Sequence, residues 1–259
     1  MVSFNVLFGG QDRFDGIVEL IAGWQPDVLV LQECLGWEQG DRLSRVAGAL
    51  GLPTDGSHVH LGRARPRGSG ARYHVALLSR RPIRRVCDHA DPEVLGHCVV
   101  ECELECEDGQ PLIVFGTHFD AHGEDQRLSE ARFVNARLAA MPAARAVLAG
   151  DLNALTPRDP YPADLPDRLR RAGTDKYGHP PRFEVIAELE AAGWVDALRA
   201  GPTPPAWVTA RRTRGEVAID YRTDYVLASR SLAPRLAGAR VLPVDGASDH
   251  EAIEASFRV

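Results

Sequence analysis

The sequence predicts a layered α/β fold in which a core of two sheets is covered by helices. Three observations carry this reading. Strand-like apolar runs alternate with helical spacings over the first 50 residues. An Asp108-Gly109 pair between two apolar runs marks a hairpin, which demands antiparallel neighbours and argues against a purely parallel, doubly wound sheet. Further apolar runs recur to the end of the chain, the last over 252–257.

SFNVLF (3–8) reads as a strand, and Ile17, Leu20, Ile21 and Trp24 fall at helical spacing behind it. PDVLVLQE (26–33) is a buried strand ending in a carboxylate, and Leu43, Val46 and Leu50 indicate a second helix. YHVALLS (73–79) is another strand. HCVVECELEC alternates, with Cys98, Val100, Cys102, Leu104 and Cys106 on one face and Val99, Glu101, Glu103 and Glu105 on the other, and then turns at Asp108-Gly109 into PLIVFGTH (111–118). A helix over about 124–139 follows, marked by Leu128, Ala131, Val134 and Leu138, with Glu124 and Asp125 favouring its dipole. VLAGDLN is a strand, 182–192 a helix, and strands are expected near 224–228, 239–242 and 252–257. The proline clusters at 156–181 and 202–205 read as long surface loops.

With 259 residues, 44% of them hydrophobic and 25% charged, the chain can bury one sizeable core, and a single domain over 1–259 is expected. No low-complexity linker or 20–50-residue repeat divides it. The start lacks a basic region followed by an apolar one, and no apolar run approaches about 18 residues. A cytoplasmic protein without a membrane span is the expectation.

Residues four apart on a strand lie roughly 13 Å from each other, too far for a disulfide. The cysteines of the alternating stretch are therefore expected to be core thiols, as suits a reducing compartment. A net charge of −6 argues against a protein that coats nucleic acid. Yet arginines crowd into 63–72, 80–85 and 211–214, while Lys176 is the only lysine. Guanidinium forks suit phosphate oxygens, and a solvated arginine-rich surface is the alternative.

The chemistry collects where apolar runs end. Asn5 follows VSF, Glu33 ends DVLVLQE, His118 and Asp120 end LIVFGTHFD, Asp151 and Asn153 end VLAGDLN, and Asp249 and His250 precede the last strand. A shared rim of carboxylates would repel itself unless a cation sat among them. Oxygen donors without thiolates favour Mg²⁺, Mn²⁺ or Ca²⁺, and Mg²⁺ in turn suggests phosphates. His118, Asp120 and His122 could instead hold zinc if their strand continued, but Gly123 and the acidic helix start suggest that it stops near His118.

In order along the chain, FNV, LQE (31–33), GTH (116–118), GDLNA (150–154), RTDYVLAS (222–229) and SDH (248–250) resemble the successive motifs of the endonuclease/exonuclease/phosphatase (DNase I-like) superfamily. The resemblance implies a four-layer α/β sandwich, with two mainly antiparallel sheets packed face to face and flanked by helices, and a Mg²⁺- or Mn²⁺-dependent attack of water on a phosphoester. It implies Glu33 as principal metal ligand, with Asn5 and Asp249 as helpers. Asp151 would orient or deprotonate water, and Asn153 would hold that water or a phosphoryl oxygen. His250 would bind a nonbridging oxygen, with Asp224 fixing its ring, and His118 would contact the phosphate or assist the leaving oxygen. Arg72 and Asp120 are candidate substrate contacts.

Two departures stand out. Leu7 occupies a position where many nuclease-type members carry Asp. Asp220 of IDY competes with Asp224 for the role beside His250, and Asp224 is favoured because VLAS resumes a strand after it. The expected activity is hydrolysis of a phosphodiester, with nucleic acid ahead of a small molecule, lipid headgroup or secondary metabolite. A non-catalytic binding protein retaining the fold is a further alternative.

Overall fold

Two six-stranded sheets form the centre of a computed structural model that describes residues 1–66, 68–201 and 206–258. In chain order the elements are β1 (Val2–Asn5), α1 (Phe14–Trp24), β2 (Val28–Gln32), α2 (Arg42–Ala49), β3 (Val59–Gly62), β4 (Val75–Ser79), β5 (Ile83–His89), β6 (Val99–Leu104), β7 (Leu112–His118), α3 (Glu124–Ala139), β8 (Arg145–Asp151), α4 (Leu165–Arg171), α5 (Glu184–Ala192), β9 (Trp194–Asp196), α6 (Ala197–Ala200), β10 (Ala210–Arg214), β11 (Val217–Tyr221), β12 (Asp224–Ser229), β13 (Leu236–Leu242) and β14 (Ala252–Phe257).

One sheet runs β13-β14-β1-β2-β4-β3 and the other β5-β6-β7-β8-β12-β9, while β10 and β11 form a separate hairpin. Within each large sheet the two central strands are parallel, β1 with β2 and β7 with β8, and the remaining pairings are antiparallel. A parallel pair needs a crossover. Here α1 and α3 supply it, so the C-terminal ends of β1 and β2, and likewise of β7 and β8, lie side by side.

Alternation along the central strands sorts side chains into layers. Val28, Val30, Val75 and Leu77 of one sheet pack with Val100, Cys102, Val114, Val147 and Val226 of the other, forming the core between the sheets. Leu29 and Leu31 face the opposite way, onto Ile17 and Ile21 of α1 and Val46 of α2. Ala146 and Leu148 likewise face α3 and α5 through Val134, Ile186 and Leu189. Helices, sheet, sheet and helices therefore give the expected four-layer sandwich. Cys98, Cys102 and Cys106 lie in the inter-sheet core as free thiols, and burial raises the first two to about 12.

Two local expectations change, at the end of the first strand and within the 156–181 loop. The first strand ends at Asn5, because Leu7 and Phe8 adopt positive φ of 48° and 52°. The 156–181 loop contains α4. The arginine run at 80–85 leads into edge strand β5, where Arg84 pairs with Glu105 and Arg85 faces Glu101 and Glu103. The run at 211–214 lies in β10, where Arg211 pairs with Asp220. Trp207 packs edge-on against Tyr161 at 5.3 Å, whereas prolines 202, 204 and 205 lie outside the described residues. No helix among the described residues is long and apolar enough to cross a membrane.

Candidate active site

The C-terminal ends of the two parallel pairs meet at one rim. Asn5 closes β1 and Glu33 follows β2, while His118 and Asp151 close β7 and β8 as direct register partners. Asp224 opens β12 opposite Asp151. Gly150 makes the approach of β8 to β7 possible, because a Cβ there would sit 1.9 Å from the Thr117 carbonyl oxygen. The SDH turn is pinned to the same end of the molecule, where the Ser248 hydroxyl donates to the Asn5 carbonyl at 2.7 Å.

Asn5 Nδ2 donates to Glu33 Oε1 and to Asp151 Oδ2, each at 3.2 Å. Glu33 Oε2 accepts the Phe8 N–H at 2.9 Å. Asp151 Oδ2 lies 3.6 Å from His118 Nε2 and 3.8 Å from His250 Nε2, and Asp151 Oδ1 accepts the Asn153 N–H at 2.9 Å. His250 Nδ1 donates to Asp224 Oδ2 at 2.8 Å. Asn5, Glu33, His118, Asp151, Asn153, Asp224 and His250 are thus linked in one network, with Asp249 at its edge, half-exposed and 4.0 Å from His250 Nε2.

Backbone strain concentrates here. Leu7, Phe8, Glu33 and Asn153 all have positive φ without being glycine, a conformation that is maintained only when the surroundings overdetermine it. At Leu7 the tight turn brings its N–H to Asn5 Oδ1 at 3.0 Å. The turn also projects Phe8 into solvent with 43% of its surface exposed.

Burial by itself would lower the charge on His250, but Asp224 and Asp151 attract it and Asp224 accepts its proton, holding its pKa up at about 10. Burial would raise Asp151, yet the positive charges of His250 and Lys176 keep it below the usual carboxylate range. Burial and the neighbouring Asp151 raise Asp224, against the pull of His250.

Asp151, Asp224 and His250 each offer a ligand atom within 4.8 Å of the others. A charged imidazole wedged between two carboxylates is a poor metal ligand, because its lone pairs are used. Glu33 and Asp151, by contrast, converge on one amide with oxygen atoms only, which fits a hard divalent cation.

Arg72 and Asp120 are engaged elsewhere. Arg72 donates to the Ala64 carbonyl at 3.2 Å, and Asp120 Oδ1 accepts the N–H groups of His122 and Gly123 at 2.7 and 2.9 Å, forming the turn into α3. β7 stops at His118, so the alternation that would line up His118, Asp120 and His122 for zinc is broken. Asp220 is held by Arg211 in the β10–β11 hairpin.

The structure also brings in residues that sequence reasoning passed over. The His97 ring stacks on His118 at 4.5 Å, Tyr73 meets His97 edge-on at 5.5 Å, and Phe8 lies 6.2 Å from Tyr73. With Glu33 and His122 this aromatic wall lines a cavity of about 390 Å³. Lys176 Nζ donates to Asn153 Oδ1 at 3.0 Å. Its isolation as the only lysine among 30 basic residues was the one available signal.

A two-sheet sandwich with acids, amides and imidazoles at the ends of its central strands defines the class. The sequence profile of the Endonuclease/Exonuclease/phosphatase family matches residues 2–250, and the chain belongs to that family. Among solved structures, an endonuclease/exonuclease/phosphatase family protein from Leptotrichia buccalis C-1013-b is similar with a TM-score of 0.70 and 15% identity, covering 100% of this chain and 98% of that one. An AP endonuclease from Archaeoglobus fulgidus has a TM-score of 0.68 and 20% identity, with the same coverages. A 3′ phosphatase from Neisseria bound to a product DNA hairpin has a TM-score of 0.69 and 22% identity, again covering 100% and 98%. Comparison with curated proteins finds no match.

Proposed function

We propose that the protein is a divalent-metal-dependent hydrolase that cleaves a phosphodiester, of the nuclease-like type. The observation that carries this reading is the meeting of Glu33 and Asn5, Asp151 and Asn153, and the His250–Asp224 pair at one rim. Glu33 would hold Mg²⁺ or Mn²⁺, with Asp249 as a helper and with Asn5 joining once its amide oxygen turns from the Leu7 N–H toward the ion. When bound, that ion would supply Lewis-acid charge to a phosphoryl oxygen.

The chain's own groups supply the rest. Asp151, held as a carboxylate by its cationic neighbours, orients the attacking water and takes its proton. Asn153, whose Nδ2 is engaged by the Phe119 carbonyl and His118, would hold the water through Oδ1. His250 is an imidazolium at neutral pH and places positive charge against a nonbridging oxygen, where charge accumulates in the transition state. Asp224 fixes that ring, and His118 faces the phosphate or the leaving oxygen.

Nucleic acid as substrate is supported by the two relatives described as an AP endonuclease and as a 3′ phosphatase bound to DNA. A small phosphodiester bearing a planar group is the second reading, favoured by the aromatic cavity beside Glu33 and by the net charge of −6. A panel of supercoiled plasmid, single-stranded oligonucleotide, bis-nitrophenyl phosphate and phospholipid, with Mg²⁺ or with chelator, separates them. Mg²⁺-dependent nicking or strand cleavage supports the first reading, and turnover of the small diester alone supports the second. No turnover of any member would overturn both.

A further inference from the structure

Lys176 sits in the long connection between β8 and α5, a segment with no assigned part in the chemistry. Its position is nonetheless tightly determined. Arg127 of α3, fully buried, donates through Nη2 to the Lys176 carbonyl and through Nη1 to the Asp120 carbonyl at 2.9 Å, while Glu124 holds Nη2 at 2.7 Å. One guanidinium therefore clamps the Lys176 backbone to the turn that follows β7. Beyond the clamp, the ammonium lies over the rings of Tyr177 and Tyr221, 4.8 and 5.7 Å from their centres, and ends at Asn153 Oδ1.

This contact and the Phe119 carbonyl together decide how Asn153 is oriented. With Oδ1 taken by the ammonium, Asn153 Nδ2 donates to the Phe119 carbonyl at 3.1 Å and faces His118 Nε2 at 3.1 Å. The reversed amide would set an NH₂ group against an ammonium and an oxygen against a carbonyl, and a lysine has no acceptor with which to relieve this. His118 Nε2 must then accept, which leaves the ring proton on Nδ1.

Burial lowers the pKa of Lys176 to about 8, against the attraction of Asp151.

We propose that Lys176 is a positioning residue for the hydrolysis: it helps lock the Asn153 amide with Nδ2 toward His118, and through it fixes the tautomer of His118 beside the Asp151 carboxylate. The inference rests on the phosphoesterase reading for its kinetic consequence alone, since the orientation of Asn153 and the tautomer of His118 can be read without substrate.

The test uses K176M and K176R of the full chain, with ¹⁵N spectra of the Asn153 side chain and the His118 ring, thermal unfolding, and Mg²⁺-dependent kinetics on bis-nitrophenyl phosphate. In K176M the Asn153 amide signals should shift or broaden and His118 should lose its Nδ1–H preference, while K176R keeps Tm near wild type. A displacement of this kind is expected to lower kcat about 10²-fold with little change in KM, and K176R should restore much of both. Unchanged Asn153 and His118 signals in K176M would overturn the proposal. So would an equal loss of Tm and kcat in both variants, which would mark the lysine as a structural support. Wild-type protein without turnover on any phosphoester would remove the phosphoesterase reading, and the spectra would still decide the positioning claim.

Discussion

Asp224→Asn isolates one charge at the site. The amide can still accept from His250 Nδ1, so the 2.8 Å contact and the ring orientation survive while the negative charge is lost. With charge centres about 4 Å apart, a unit pair is worth about 4 kcal/mol at an effective dielectric of about 20. Because about 1.4 kcal/mol equals one pKa unit, the substitution should lower the His250 pKa by about 3, from about 10 to about 7. The sign for stability follows. A histidine raised in the folded state stabilises fully below its unfolded pKa of about 6.5 and loses that contribution as pH rises toward 10. In the variant this window nearly closes. Imidazole NMR titration reads the pKa, and the profile of kcat/KM against pH reads its consequence. The alkaline limb should move down toward neutrality, and kcat at pH 8 should fall about 10-fold, the loss of imidazolium when the pH stands one unit above a pKa of about 7. A wild-type His250 that titrates near 6.5, or a midpoint that Asp224→Asn leaves in place, would refute the reasoning.

Three further outcomes are expected. Asp151→Asn should abolish turnover while the circular dichroism spectrum and Tm stay near wild type, and full activity in that variant would remove the proposed mechanism. Arg222→Met leaves Asp196, now bound at 2.6–3.0 Å, as an uncompensated buried charge, while Asp159 keeps Arg199; this should cost about 3–5 kcal/mol and lower Tm by about 10 °C or more, with partial recovery when Asp196 is also made Asn. Burial holds Glu130 up at about 8 while it accepts the N–H groups of Gly96 and Asp120 at 2.6 and 2.7 Å. Folding stability from this group is therefore lost as pH rises toward 8, and Glu130→Gln should flatten that part of the urea-midpoint profile.

The central architecture was readable because the strands that build it are buried on both faces, and such strands are apolar runs that end abruptly at the rim. For β2 and β8 the run, its end and the polar residue beyond it all coincide. Strand β6 was legible for a different reason, its period-two alternation. Edge strands carry no such signal: β5, with most of its residues exposed, reads as an arginine-rich surface run, and β10 likewise.

Within the site, residues on strand ends were visible and residues delivered by loops were not. His97 reaches His118 through the segment before β6, and Lys176 reaches Asn153 only because Arg127 fixes the loop from a distant helix. The ambiguity between Asp220 and Asp224 is of the same kind, since it depends on register. Asp224 falls opposite Asp151 in the sheet, whereas Asp220 falls opposite Arg211 in a separate hairpin.

The most direct test of the account is to locate Mn²⁺ by anomalous scattering in crystals of the protein. The ion should lie against the Glu33 carboxylate, and should be absent from Glu33→Gln. An ion held instead between Asp151, Asp224 and His250, or no bound ion at millimolar Mn²⁺, would contradict the assignment of Glu33 as the metal-holding residue on which the proposed chemistry is built.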